Sequence, residues 1–245
     1  MSIYGKLTEP QNPEEIIKLD FSEKNLTKIP NWISKCINLQ ELDCSKNKLK
    51  LLPNLPNTLL KLNCSHNQLK LLPNLPNTLL KLNCSHNQLT SLPNLPNTLL
   101  ELTCYYNKLE SLPNLPNTLQ ELDCSNNQLT SFSNLPDTLQ KFYCYNNQLI
   151  SLPNLPNTLQ ELNCYSNQLT SLPILPNTLQ TLDCSDNLLK SLNSLIFCTQ
   201  LRECSYFDNP IEEIPIQVLR ILNTQKISNN IYNDNQNVHT SEAIT

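Results

Sequence analysis

The sequence predicts a β-dominated α/β repeat solenoid, in which short coils stack and their strands form a parallel, concave sheet. The 245-residue chain has one glycine and eighteen prolines, which is far from the composition of an average globular domain. Eight of its eleven cysteines recur every twenty residues, from Cys44 to Cys184. Leucines follow the same period, so we expect stacked repeating units rather than one closed core.

Alignment on these cysteines gives a twenty-residue unit, L-x-x-L-x-C-x-x-N-x-L-x-x-L-P-x-L-P-x-T. Alternating apolar residues around L-x-C are typical of a short strand with one buried face. We expect positions four and six to point inward, and positions five, seven and eight to point outward on the concave side. Longer variant units begin at Ile16 and Leu201. The regular units begin at Leu39, Leu59, Leu79, Leu99, Leu119, Leu139, Leu159 and Leu179.

The cysteine at position six is interpreted as a small buried hydrophobic side chain. A reactive thiolate or a metal ligand needs an accessible and electropositive setting, which an inward position does not offer. Phe21 and Tyr206 occupy the same slot in the two variant units.

An asparagine at position nine follows every regular strand, where the chain begins to turn. A buried carboxamide can donate to and accept from the backbone groups of adjacent coils. We therefore expect a structural asparagine ladder, formed by Asn47, Asn67, Asn87, Asn107, Asn127, Asn147, Asn167 and Asn187.

The return path L-P-x-L-P-x-T excludes a regular helix, because proline lacks an N–H group and has a fixed φ. An extended or polyproline-like convex side is expected instead. A helical turn near Trp32 and a helix from Ile216 to Leu222 are expected to cover the two ends of the core. The predicted organisation is a lead-in over 1–15, a solenoid of about ten units with a C-terminal cap over 16–222, and a disordered tail over 223–245.

These recurring residues, L-x-x-L-x-C-x-x-N-x-L with L-P-x-L-P, resemble the short leucine-rich repeats of bacterial type-III effectors. They are similar above all to the leucine-rich repeat proteins of mimivirus. The resemblance covers residues 16–222 and implies a leucine-rich repeat horseshoe that binds a host protein. The seventeen basic residues include two arginines, Arg202 and Arg220, a bias that AT-rich viral coding produces.

The formal net charge of −4 provides no basic excess for binding nucleic acid or an anionic membrane. No run of eighteen apolar residues occurs, and the first residues are too polar for a secretory signal. We therefore expect an intracellular, cytoplasmic protein, in the host cytoplasm if it is viral. No catalytic motif stands outside the repeat columns, so neither enzymatic activity nor a cofactor is predicted.

Charged residues recur at position three, with opposite signs on several neighbouring strands. We expect solvated pairs across the strands, which contribute about 0.2–1 kcal/mol each. The column contains Glu41, Lys61, Lys81, Glu101, Glu121, Lys141 and Glu161.

His66 and His86 share one outward position in adjacent units, where their rings are close enough to share a metal ion. Their neighbours in the column, Lys46 and Tyr106, are poor ligands. The two units are otherwise almost identical, so duplication explains the matching histidines. No metal site is predicted.

The predicted binding site consists of tyrosines that interrupt the polar outward positions in the middle of the chain. Aromatic side chains on a rigid surface give a large contact area at little entropic cost. We predict that this face binds a protein partner, a host protein if the chain is viral. The alternative is a small-ligand or glycan receptor, because tyrosine beside Asn or Asp can stack on a sugar and hydrogen-bond to it. The partner's identity and the oligomeric state stay open. The residues are Tyr105, Tyr106, Tyr143, Tyr145 and Tyr165.

Overall fold

The computed structural model describes residues 8–224. The first seven residues of the predicted lead-in, and residues 225–245 of the predicted tail, lie outside the described part. The chain forms two compact units, Met1–Leu119 (unit 1) and Gln120–Thr245 (unit 2).

Within the described residues, unit 1 contains five strands of three residues each. They pair in chain order and all pairs are parallel. The register aligns the central residues in one column, from Leu19 of the first strand to Leu102 of the fifth. The strands are β1 (Lys18–Asp20), β2 (Glu41–Asp43), β3 (Lys61–Asn63), β4 (Lys81–Asn83) and β5 (Glu101–Thr103).

The described part of unit 2 repeats this arrangement with five more parallel strands. Its central column runs from Leu122 to Cys204 and contains one phenylalanine, Phe142. The predicted class, a β-dominated solenoid of short parallel strands, is confirmed. The strands are β6 (Glu121–Asp123), β7 (Lys141–Tyr143), β8 (Glu161–Asn163), β9 (Thr181–Asp183) and β10 (Glu203–Ser205).

The cores of both units are built from the residues at positions four and six, which point inward as predicted. Leu42 is 2% exposed and Cys44 is fully buried, and the later coils repeat these values closely. Burial of a leucine side chain contributes about 1.5–3 kcal/mol, which a single coil cannot obtain alone. The variant residues Phe21 and Phe142 are buried in the same columns.

Within each unit, the asparagine at position nine connects a coil to the one before it. The Asn67 side chain donates to the carbonyl oxygens of Cys44 and Cys64 at 3.0 and 3.1 Å, and accepts the N–H of Leu49 at 2.9 Å. Backbone groups that the turn removes from the sheet ladder thus find partners. Asn87 and Asn167 make the same kinds of bonds with their own neighbours.

The return path ends in a turn that the second proline begins. The N–H of Leu79 donates to the carbonyl of Pro76 at 3.1 Å, and the Thr78 hydroxyl lies 2.8 Å from the Leu59 carbonyl of the preceding coil. The coils that begin at Leu39 through Leu159 have no helix on this path. Equivalent threonine bonds to the preceding coil lie just before β3, β4, β5, β8 and β9.

Helices lie near the two ends of the described region. A 3-10 helix spans Asn31–Lys35, where the first unit predicts a helical turn, and helix α1 spans Ile216–Thr224. Further 3-10 segments occur at Pro13–Glu15 and Asn193–Phe197. The latter was not predicted, although its coil lacks both prolines of the return path. Helix α1 packs on this 3-10 segment and buries Val218.

Candidate functional site

The strand face of unit 1 is an open groove of about 530 Å³, lined by the outward residues of β1 to β5. Charged residues at position three and polar residues at position five line it. Glu41 accepts ion pairs from Lys18 at 2.9 Å and from Lys61 at 3.1 Å, and both cations lower the pKa of its carboxyl. Lys81 pairs with Glu101. The predicted cross-strand pairing therefore occurs here.

The strand face of unit 2 carries a similar set of pairs around one tyrosine. Lys141 lies between Glu121 and Glu161, at 3.4 and 3.8 Å. The hydroxyl of Tyr143 donates to Glu161, and burial together with this carboxylate raises the pKa of the phenol. Burial also raises the pKa of Asp123, opposed by its hydrogen bonds from Ser125. Tyr143 is thus a half-buried, hydrogen-bonded residue of the sheet.

The serines at position seven are buried, which the sequence analysis did not predict. Ser45, Ser85 and Ser125 are at most 6% exposed. The Ser45 hydroxyl donates to the Asp43 carboxylate at 2.6 Å, and the Ser45 N–H donates to the same oxygen at 2.9 Å. These two bonds close a turn at the end of the strand and hold the position-seven serine against the outward residue at position five.

The tyrosines at position seven are consequently half-buried. Where Tyr105 and Tyr145 replace serine, position five is Thr103 or Tyr143, which has no carboxylate or carboxamide to accept the serine-type bonds. Tyr165 keeps one of them, since its N–H donates to Asn163 at 3.1 Å. Tyr105 lies in unit 1, whereas Tyr143, Tyr145 and Tyr165 lie in unit 2.

Position eight has a left-handed backbone, and its side chain is exposed or half-buried. Its φ is 52° at His66, 50° at His86 and 51° at Tyr106 and Ser166. A non-glycine residue in this conformation costs about 1–2 kcal/mol. The backbone ladder compensates, because the His66 N–H donates to the next coil at 3.0 Å. The same conformation recurs in every regular coil, so it belongs to the fold and does not mark a site.

Four rings of unit 1 form what we call the aromatic cluster: His66, His86, Tyr105 and Tyr106. His66 stacks on His86 with ring centroids 4.0 Å apart, and His86 stacks on Tyr106 at 4.6 Å. Tyr105 meets His86 and Tyr106 edge-on, at 5.1 and 5.8 Å. Tyr106 is 51% exposed. Sequence analysis placed two of these rings in the binding site and missed that the histidines join them.

The stacked histidines are poorly arranged for a metal ion. Their planes are 16° apart, so their in-plane nitrogen lone pairs run side by side instead of converging. Among residues 8–224, no group of three or more histidine, cysteine or acidic side chains is placed to hold a metal. Burial and the neighbouring His66 lower the pKa of His86, which favours neutral, stacked rings.

The cysteine column offers no accessible nucleophile. All eleven cysteines are free thiols with at most 3% of their surface exposed. Burial raises the pKa of Cys84 and Cys124 well above the usual range, and it raises that of Cys198 to about 11. A thiolate is therefore not formed near neutral pH.

These features define the class of the protein. Short parallel strands, buried leucine and cysteine columns and an asparagine ladder are those of a leucine-rich repeat solenoid. The Leucine Rich Repeat family model matches residues 38–59 and 118–142. No curated protein matches the chain in a sequence comparison. Within residues 8–224, no helix is long and apolar enough to cross a membrane.

Among solved structures, the chain is similar to bacterial proteins of the effector type. It is 36% identical to YopM from Yersinia enterocolitica WA-314, with a TM-score of 0.80, over 84% of this chain and 45% of that one. It is 29% identical to YopM from Yersinia pestis, described as a leucine-rich effector protein, with a TM-score of 0.67 over 81% of this chain and 68% of that one.

A third similar structure is the functional domain of InlJ from Listeria monocytogenes, which includes a cysteine ladder. The identity is 26% and the TM-score 0.65, over 87% of this chain and 52% of that one. The chain thus spans about half the length of two of these three proteins.

Proposed function

We propose that this protein is a non-enzymatic interaction module that binds a partner protein through the aromatic cluster and the adjoining strand face. The observation that carries the proposal is the cluster itself. Its rings stack on one another, and backbone hydrogen bonds hold the coils that carry them side by side. Little conformational entropy is therefore lost when a partner covers the rings. Similarity to effector-type leucine-rich repeat proteins supports the same role.

The stacking also favours a protein over a glycan. Because His66, His86 and Tyr106 cover one another's faces, they present mainly ring edges to solvent. Binding of a sugar by stacking needs an open ring face, whereas ring edges and the tyrosine hydroxyl suit the carbonyls and side chains of a polypeptide. The glycan receptor remains the second candidate, carried by the partly exposed Tyr106.

The setting of the protein is part of the proposal. Eleven buried cysteines that form no disulfide suit a reducing compartment, which supports action inside a cell, in the cytoplasm. The predominance of lysine over arginine supports a viral origin of the mimivirus kind, and the partner would then be a host protein.

The test is affinity capture with quantitative mass spectrometry on a variant that borrows residues from another coil. Tyr105→Ser with Tyr106→Asn gives this coil the Ser125 and Asn126 of the following one, so folding should be retained. The matched control is Leu188→Gln, since Leu188 is an equally exposed apolar residue of unit 2 and glutamine is common at its position. A partner kept by wild type and control and lost by the double variant supports the proposal.

Identical partner sets for wild type and the double variant would remove the aromatic cluster from the site. Tyr145→Ser with Tyr165→Ser then asks the same question of the tyrosines in unit 2. A glycan array with wild-type protein covers the second candidate. Saturable binding of one glycan, lost in the Tyr105 and Tyr106 variant, would favour the receptor over the protein-binding module.

A further inference from the structure

Unit 1 carries its unpaired positive charge on one flank, away from the strand face. The lysines on the strand face, Lys18, Lys61 and Lys81, all have carboxylate partners. In the described part of the chain, the exposed lysines that form no ion pair lie in the segments that follow the strands of unit 1. They are Lys28, Lys48, Lys50, Lys70 and Lys108.

A second backbone ladder, formed by the N–H groups at position ten of the repeat, aligns these segments side by side. The N–H of Lys48 donates to Leu26 at 2.8 Å, and the N–H groups of Gln68 and Gln88 donate to Leu49 and Leu69 at 2.9 Å. Outward residues of neighbouring coils therefore form columns. A shallow groove runs between two of these columns, lined by Lys50, Gln68, Lys70 and Gln88.

Exposed apolar side chains accompany the lysines in the same two coils. Leu51 and Leu71 directly follow Lys50 and Lys70 and are 59% and 61% exposed. The equivalent residues of the next two coils are serines, Ser91 and Ser111. Leucines exposed at the same position of adjacent coils add apolar contact area. A surface that contacts only water has no need of such area.

We propose that this lysine flank, made of Lys48, Lys50, Leu51, Lys70 and Leu71 with Gln68 and Gln88 between them, docks an acidic peptide segment of a partner protein that also carries apolar side chains. The unpaired ammonium groups are complementary to carboxylates. The glutamine carboxamides can both donate to and accept from a peptide backbone. The flank uses different side chains from the aromatic cluster, so it is a second surface beyond the proposed function.

A peptide suits this flank better than a lipid surface or a nucleic acid. The groove is lined by two carboxamide side chains, which match the N–H and C=O groups of an extended backbone better than a plane of headgroups. Nucleic-acid binding draws its affinity from a basic excess that neutralises phosphates, whereas this chain carries a net charge of −4.

The repeat supplies variants that remove the flank without disturbing the fold. Lys70→Thr with Leu71→Ser makes the coil from Leu59 identical to the coil from Leu79 over all twenty positions. Lys50→Thr with Leu51→Ser brings the same two residues into the preceding coil. The matched control is Lys35→Thr with Lys190→Thr, which removes the same charge from two ion-paired surface lysines elsewhere.

The experiment selects phage-displayed random twelve-residue peptides on the full-length protein and measures the enriched sequences by fluorescence anisotropy. We expect enriched peptides to contain Asp or Glu together with Leu, Ile, Val or Phe. The four-substitution flank variant should weaken their Kd at least tenfold, while the control should leave it within twofold. Raising the salt concentration should weaken binding to wild type because exposed charges are screened.

Several outcomes would overturn the proposal. These are enriched peptides without acidic residues, equal affinity for wild type and the flank variant, or a loss of affinity in the Lys35 and Lys190 control. Flank-dependent binding of phosphatidylserine vesicles without any peptide enrichment would assign the surface to a membrane instead. Peptides that bind the flank variant but not the variant with Tyr105→Ser and Tyr106→Asn would assign binding to the aromatic cluster and contradict the proposal for the lysine flank.

Discussion

The imidazole rings of His66 and His86 stack face to face, with centroids 4.0 Å apart and planes 16° apart. They come from adjacent coils and share one column, with the Tyr106 ring continuing the stack on the next coil. Two cationic rings at this distance would repel each other. The cluster is therefore most stable when His86 is neutral.

The first prediction concerns this titration. Burial and the neighbouring His66 lower the pKa of His86 below its usual 6.5. Between the lowered pKa and 6.5 the unfolded chain binds more protons, so the stabilisation from this group is complete above pH 6.5 and declines as the pH falls. An NMR titration of the imidazole signals should place His86 below 6.5, and His66→Asn should move it upward. A His86 pKa at or above 6.5 in wild type would contradict the stacked geometry.

The second prediction concerns the asparagine ladder. Asn67→Ala leaves the Leu49 N–H without its acceptor and removes the bonds to the Cys44 and Cys64 carbonyls. An unsatisfied buried donor costs about 1–3 kcal/mol, so the free energy of unfolding should fall by at least that amount. Urea unfolding measures it. Asn94→Ala, at an exposed position of the return path, should change stability by less than about 0.5 kcal/mol. Equal effects of the two substitutions would show that the ladder bonds contribute nothing.

The third prediction concerns the thiols. All eleven cysteines are buried, and burial raises the pKa of Cys198 to about 11 and that of Cys204 to about 12. A chromogenic aromatic disulfide reagent at pH 8 should therefore react with less than one thiol per folded molecule on the minute scale, and with all eleven in denaturant. Rapid reaction of several thiols in the folded protein would mean that the cysteine column is open to solvent.

The fourth prediction concerns the left-handed residue of each coil. Ser166 has a φ of 51°, a conformation that glycine adopts without steric cost. Ser166→Gly relieves the steric cost of the left-handed conformation but gives the unfolded chain more conformational entropy. The first effect is larger, so the free energy of unfolding should rise by about 0.5–1 kcal/mol. The control is Ser171→Gly, an exposed position that is not left-handed, where the same change should lower stability. Thermal unfolding of both variants measures these changes. A loss of stability in Ser166→Gly would show that the left-handed conformation of Ser166 is not strained.

Much of the fold could be predicted from one repeat because the periodicity records which residues must be buried. Side chains of a strand alternate between its two faces, so Leu42 and Cys44, two residues apart, lie on the same face. Because both are apolar, that face is the buried one. The 3-10 helix at Asn193–Phe197 escaped prediction, although the missing prolines of that coil were a usable signal. The burial of Ser45 also escaped, because its direction depends on a hydrogen bond to Asp43 that closes only in the folded turn.

The sequence by itself determined the repeat length, the inward columns and the paired charges of the strand face, since each follows from spacing within a coil or identity between coils. Tertiary structure decided what the surface offers. The left-handed turn aligns His66, His86 and Tyr106 into one stack. The second backbone ladder aligns the segments that carry Lys50 and Lys70, which lie next to exposed leucines. Such contacts depend on the stagger and orientation of neighbouring coils, which a one-dimensional pattern does not contain.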